Sequence, residues 1–228
     1  MLNIVITGGS RGIGKSISKY FSKRNNVINL SRTKVRLKNI KNIKCDISNF
    51  ASVKKAFSKI KKIDVLINNA GITYYCKDDI LNFDKIIDVN LKGCFYCCKY
   101  AIPLLLKSKN SSIINIASIN SVLAFPNNPG YVSSKAAIVS LTRSLALDNG
   151  HKGLRVNSIS PGYINDGIAK KSFLNSKARK VRISRMILKR FGRSEDLFGA
   201  IDFLISKNSS YITGQNIIID GGWTVKGL

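Results

Sequence analysis

The sequence predicts an α/β chain, a parallel sheet buried on both faces and wound by helices on either side. Three observations predict it. Short β-branched runs alternate with longer helical patterns from end to end, as β-α-β units do. A glycine-rich turn, "TGGSRGIG", directly follows the first run and opens the first helical pattern. Finally, 228 residues that are 44% hydrophobic are enough to bury one substantial core, so residues 1–228 read as one domain.

The strands are expected at "NIVITG" (3–8), "VINLS" (27–31), "NIKC" (42–45), "DVLIN" (64–68), "SIINIAS" (112–118), "RVNSIS" (155–160) and "NIIID" (216–220). Seven strands make a doubly wound sheet. Helices are expected near 12–24, 49–60, 82–107, 131–149 and 194–206. Between the second and third strands only "RTKVRLKNIKNI" is available, barely the dozen or so residues that a parallel crossover needs. The helix there is shortened or absent. No repeat or low-complexity tract interrupts the series.

No apolar run reaches the roughly 18 to 20 residues of a spanning helix, and "MLNIVITGG" lacks a basic leader and a cleavage site. The expectation is a cytoplasmic protein with no membrane partner. Cys45, Cys76, Cys94, Cys97 and Cys98 are odd in number, and Cys94-x-x-Cys97 has no second pair or histidine cluster beside it. They read as small apolar side chains, with no metal site. The 38 Lys and Arg against 12 Asp and Glu, a formal net charge of +26, attract anions of any kind. The cations are spread over every segment with no polybasic arm, so a compositional bias accounts for them better than a nucleic-acid partner does.

In "TGGSRGIG" the spacing is Gly8-x-x-x-Gly12-x-Gly14. Glycines permit a tight turn and close backbone approach, and the helix N-terminus offers free N–H groups to a pyrophosphate. That is the signature of a dinucleotide-binding Rossmann domain. Where an acidic residue would grip the ribose hydroxyls of NAD, at the end of the second strand, stand Ser31 and Arg32, with Arg11 inside the turn. Two guanidiniums suit a 2′-phosphate. NADP(H) is therefore the preferred cofactor, with NAD(H) as the alternative.

"YVSSK", Tyr131 to Lys135, puts a phenol and an ammonium on one helix face. With "CDIS", "NNAG" (Asn68 to Gly71), "DVN" (Asn90), Ser118, "PG" (Pro161, Gly162) and the tail "YITGQNIIIDGGW", it resembles, in order and over Leu2 to Trp223, the short-chain dehydrogenase/reductase family. The resemblance implies hydride transfer between a nicotinamide and a carbonyl. Tyr131 would give the proton, Lys135 would lower its pKa and hold the nicotinamide ribose, and Ser118 would polarise the substrate oxygen. Asn90 would hold a water leading to Lys135. Val132, Ser133 and Ser134 serve as spacing. The cofactor residues it implies are Gly8, Ser10, Arg11, Gly12, Ile13, Gly14, Arg32, Asp46, Ile47, Asn68, Ala70, Gly71, Tyr131, Lys135, Pro161, Gly162 and Ile164.

One departure is Asp166, where some members carry a threonine that holds the carboxamide. By resemblance, residues 170–190 form a lid, and they hold nine basic and no acidic residues, which suits an anionic substrate or an acidic carrier protein. Lys109 and Lys152 match rim positions where carrier-protein reductases are basic. The leading expectation is a 3-oxoacyl-carrier-protein reductase acting on a small or carrier-bound carbonyl. A gluconate-type sugar or polyol dehydrogenase is the alternative, favoured by "DGGW". A cofactor-sensing or nucleic-acid-binding module without catalysis is the remoter one. The family commonly forms homotetramers, and a homotetramer or homodimer is expected.

Overall fold

A computed structural model describes residues 1–74, 80–169 and 173–226. Its strands are β1 (Asn3–Thr7), β2 (Asn26–Ser31), β3 (Ile40–Lys44), β4 (Val65–Asn68), β5 (Ser112–Ile116), β6 (Arg155–Pro161) and β7 (Asn216–Ile219). They form one sheet in the order β3-β2-β1-β4-β5-β6-β7. Every neighbouring pair is parallel. The helices are α1 (Gly12–Phe21), α2 (Phe50–Phe57), α3 (Ile80–Ile87), α4 (Gly93–Leu105), α5 (Pro129–Gly150), α6 (Ser176–Ser184) and α7 (Phe198–Ile205).

Side chains on a strand alternate between faces, and β1 shows why both faces need helices. Val5 joins the cluster containing Val53, Cys97 and Leu145 of α2, α4 and α5. Its neighbours Ile4 and Ile6 join Ile17 and Phe21 of α1 and Ile201 of α7. The strand order reverses between β1 and β4, so ligands collect outside their carboxyl ends.

The expected seven strands and the missing crossover helix are both found. Residues 32–39 hold no helix; the buried Val35 anchors them by donating its N–H to Asn42 Oδ1 at 2.9 Å. Two expectations need correction. The pattern at 82–107 is not one helix: α3 passes through a π turn, Asp88–Lys92, into α4. Strand five stops at Ile116, because Ser118 turns to cap the 3-10 turn Ile119–Ser121. The lid segment contains a helix, α6, capped by Asn175 Oδ1, which accepts from Ala178 N at 2.8 Å.

Among the described residues no helix is long and apolar enough to cross a membrane. Cys45, Cys94, Cys97 and Cys98 are buried between the sheet and its helices; Cys76 lies outside the described residues. Burial raises the Cys97 thiol well above its ordinary pKa. No group of three or more His, Cys, Asp or Glu among the described residues is placed to hold a metal.

Candidate active site

The glycine turn is held from beneath by Thr7, the first residue of its own motif, and by two asparagines that the motif does not include. Thr7 Oγ1 accepts from the N–H groups of Asn69 and Ala70, each at 3.0 Å. Asn69 Nδ2 returns to the carbonyls of Thr7 at 3.0 Å and Gly8 at 3.3 Å. Asn29, buried in β2, accepts from Gly9 N at 2.9 Å. Gly8 has φ +67°, and a Cβ there would lie 2.8 Å from Ala70 Cα. At Gly14 a Cβ would meet Asn69 Nδ2 at 2.2 Å. Only glycine lets the "NNAG" loop approach this closely, and the cradle so formed, opening on the first turn of α1, fits a dinucleotide pyrophosphate.

The two isoleucines of the implied set, Ile47 and Ile164, are buried and can offer a ligand only backbone. Asn68 is likewise turned inward, donating to Asn115 Oδ1 at 2.9 Å and to Cys98 Sγ at 3.2 Å. Its neighbour Asn69 does the tying, a role the motif alone did not reveal.

At the adenosine end, Arg32 and Asp46 line a cavity of about 450 Å³. Lys44, Lys55 and Lys59 line it too, and none of the three was singled out from sequence. β3 is the sheet edge, which lets Lys44 face α2 across open space. Asp46 Oδ1 is occupied locally, accepting from Ser48 N at 3.1 Å and Ser48 Oγ at 2.7 Å. Four cations around one carboxylate favour a doubly charged anion over a bare ribose.

Asn90, Ser118, Tyr131 and Lys135 come from three segments, the π turn, the turn after β5 and α5, that meet at the carboxyl end of β5. The Lys135 Nζ lies 5.6 Å from the centre of the Tyr131 ring and donates to Ile116 O at 2.7 Å. Its side chain is buried, and that desolvation lowers its pKa to about 8. Ser118 Oγ donates to Asn120 Oδ1 at 3.1 Å and accepts from Asn120 N at 3.2 Å. Asn90 Oδ1 accepts from Ile72 N at 2.8 Å, and its Nδ2 donates to Ile72 O at 3.0 Å. Nδ2 also donates to Ser134 Oγ at 3.1 Å, and Ser134 Oγ donates to Tyr131 O at 2.8 Å. Ser134 is therefore not mere spacing: it ties the π turn to the Tyr131 backbone. A Cβ at Gly71 would stand 3.4 Å from Asn90 Oδ1 and 3.6 Å from Lys135 Nζ, so this glycine brings the "NNAG" backbone up to both.

After β6, Gly162 donates to Ile219 O at 2.9 Å, and the loop folds over α1. Asp166 Oδ2 accepts from Ser194 Oγ at 2.9 Å and Ser16 Oγ at 3.3 Å, while Oδ1 accepts from Gly167 N at 2.7 Å. Its partners are thus hydroxyls and backbone beside the first turns of α1.

Lys109 and Lys152 are corrected. They precede β5 and β6, at the amino ends of the strands, whereas Ser118 and Tyr131 lie at the carboxyl ends. The 22-residue α5 separates Lys152 from Tyr131 by roughly 30 Å at about 1.5 Å per residue. Nearness in sequence to β5 and α5 placed them at the wrong end of the sheet.

A phosphate cradle at the switch point, with a buried lysine beside a tyrosine and a serine beyond the next strand, defines a nicotinamide-dependent oxidoreductase. Residues 8–224 match the family described as Enoyl-(Acyl carrier protein) reductase. The chain is 35% identical to 3-oxoacyl-(acyl-carrier-protein) reductase FabG of Rickettsia felis over 96% of its own length and 95% of the relative's. Ligand-free aldohexose dehydrogenase of Thermoplasma acidophilum superposes with a TM-score of 0.94 at 33% identity, covering 99% of this chain and 95% of that one. A 4-hydroxyisoleucine dehydrogenase complexed with NADH gives 0.90 at 33% identity, with both chains covered completely at 100%. The chain belongs to the short-chain dehydrogenase/reductase family, and it is an NAD(P)-dependent oxidoreductase.

Proposed function

We propose that the protein reduces the 3-oxo group of an acyl thioester, carrier-bound or free, with NADP(H) as cofactor and Tyr131 as proton donor. The observation that carries this reading is the buried Lys135 ammonium 5.6 Å from the Tyr131 ring. At about 6 Å and an effective dielectric near 20, an ammonium stabilises a phenolate by ~3 kcal/mol. A phenol that is a poor acid at neutral pH is thereby matched to the task. The bound nicotinamide supplies the hydride. Tyr131 gives its proton to the carbonyl oxygen, and the Ser118 hydroxyl donates a hydrogen bond to that oxygen. Lys135 favours the phenolate that remains, and Asn90 holds the segment through Ile72 and Ser134.

The likeness to a 3-oxoacyl reductase along nearly the whole chain favours the thioester. The aldohexose dehydrogenase likeness favours a sugar as the second reading. A homo-oligomer formed through α4 and α5 would cover the exposed Phe95 and Leu147, and sedimentation of Leu147→Glu against the parent tests it.

The deciding experiment is NADPH oxidation with acetoacetyl thioesters and keto-sugars side by side. Tyr131→Phe should abolish turnover on the preferred substrate while leaving NADPH binding within about twofold. Comparable turnover in that variant would sink the proton-donor assignment.

A further inference from the structure

At the carboxyl end of the sheet lies an aromatic floor drawn from several segments. Tyr163, two residues beyond β6, meets Phe125 edge-on with ring centres 6.5 Å apart, Trp223 at 4.9 Å and Phe191 at 5.7 Å. Phe125 belongs to the segment that joins Ser118 to Tyr131 and Tyr163 follows β6, so the floor lies at the same carboxyl end of the sheet as the reacting groups. Phe173 extends it, 5.4 Å from Phe191.

α6 crosses this floor, and with its C-cap Arg185 it lays three guanidiniums on it. Arg179, Arg182 and Arg185 are spaced three apart, which puts them along one ridge at the helix surface. Their guanidinium carbons lie 5.4 Å from the Phe173 ring, 5.0 Å from Tyr163 and 6.0 Å from Trp223. The ion pairs among the described residues are Lys92 with Asp88 and Arg190 with Asp196, so no carboxylate among those residues pairs with the ridge. At its centre Arg182 donates from Nη1 to Ala178 O at 3.2 Å, while its Nε is buried with no hydrogen-bond partner.

A buried N–H of a charged group is costly to leave unpaired, and stacking fixes the plane of the guanidinium so that its edge is presented in one orientation. A pair of anionic oxygens matches that edge; a neutral hydroxyl or carbonyl matches it poorly. Resting on the carbonyl-reductase reading, we propose that Arg182 recognises a phosphate or carboxylate carried by the substrate at a distance from its reacting carbonyl. Arg179 and Arg185 flank it and draw that group onto the aromatic floor.

The test compares the whole protein with Arg182→Gln on substrate pairs that differ only in the anion. One pair is acetoacetyl-phosphopantetheine and acetoacetyl-pantetheine; the other is 4-oxopentanoate and its methyl ester, in which two methylenes separate the carboxyl from the ketone. The variant should raise KM for the charged member of one pair about tenfold or more, with kcat and the neutral member within twofold. The affected pair identifies phosphate or carboxylate as the source of the charge. An equal rise for both members, or none for either, overturns the proposal. Trp223 is the sole tryptophan and provides a readout without turnover. Titration with phosphopantetheine, pantetheine and 4-oxopentanoate should change its emission only for a charged probe, and Arg182→Gln should abolish that response. If no ketone is reduced, the carbonyl-reductase reading fails. The titration still decides Arg182: a charge-selective response lost in the variant supports it, and any other pattern overturns it.

Discussion

The Asn90 side-chain amide donates to the Ser134 hydroxyl at 3.1 Å, joining the π turn to the helix that carries Tyr131 and Lys135. Ser134 passes the contact on to the Tyr131 carbonyl at 2.8 Å, so the turn that carries the phenol is tied to a residue of another helix. Both side chains are fully buried, and the extra residue of a π turn is what aims Asn90 inward. A buried hydrogen bond left half-made costs about 1–3 kcal/mol.

Ser134→Ala should therefore lower unfolding stability by about that amount in urea. It should also lower kcat by roughly tenfold, since small misplacements of a reacting group cost that much or more. Asn90→Ala and Ser134→Ala should be strongly non-additive in a double-mutant cycle. Additive losses would mean that the two act independently.

Lys135 is a cation below its pKa and neutral above it, and burial brings that pKa down to about 8. Its help to the Tyr131 phenolate is present at lower pH and lost as pH rises through 8. kcat/KM, which reports the free enzyme, should accordingly have a falling limb near pH 8. Lys135→Arg keeps the charge at every working pH and should move or remove that limb, although the larger head lowers the rate. A limb unchanged in the arginine variant would assign it to another group.

The cations at the adenosine end make a separable prediction. Arg32 and Lys44 line the same cavity, and each unit of charge removed weakens an added phosphate more than a hydroxyl. Arg32→Asp should reverse the preference, weakening NADPH by about tenfold or more while NADH changes little. Lys44→Ala should weaken NADPH alone and by less, with the loss shrinking at high salt. The ratio of the two cofactors' kcat/KM values measures both.

What was legible in the sequence was what depends on local order. The glycines of 8–14 follow β1 and open α1, and Tyr131 and Lys135 share a helix face; both facts need only neighbours in the chain. Ser134 escaped because a serine inside a helix carries no pattern, and its partner Asn90 is set by a π turn that no periodicity announces. Asn29 and Asn69 escaped because their work depends on β2 and β4 flanking β1. Lys44, Lys55 and Lys59 become one surface only when β3 is known to be the sheet edge. Lys109 and Lys152 show the converse error: proximity along the chain to β5 and α5 was taken for proximity to the site, and in parallel strands the two ends are far apart.

Asp166 gives a prediction of two opposite signs. Its carboxylate accepts from Ser194 at 2.9 Å and Ser16 at 3.3 Å, and Oδ1 would lie 3.9 Å from a Cβ on Gly12. That places a negative charge beside the N-terminus of α1, where it steadies the ligand-free protein through the helix dipole by roughly 0.3–1 kcal/mol. The same charge repels a pyrophosphate entering the cradle, at a cost of about 1 kcal/mol once solvent screening is included. Asp166→Thr keeps a hydroxyl for the serines and removes the charge. The variant should melt a few degrees lower without cofactor and bind NADPH about fivefold more tightly. With saturating NADPH its melting temperature should recover to that of the parent or above, because tighter binding adds stability by mass action. Weaker NADPH binding in Asp166→Thr would show instead that the carboxylate helps to hold the cofactor, as an acceptor for the carboxamide.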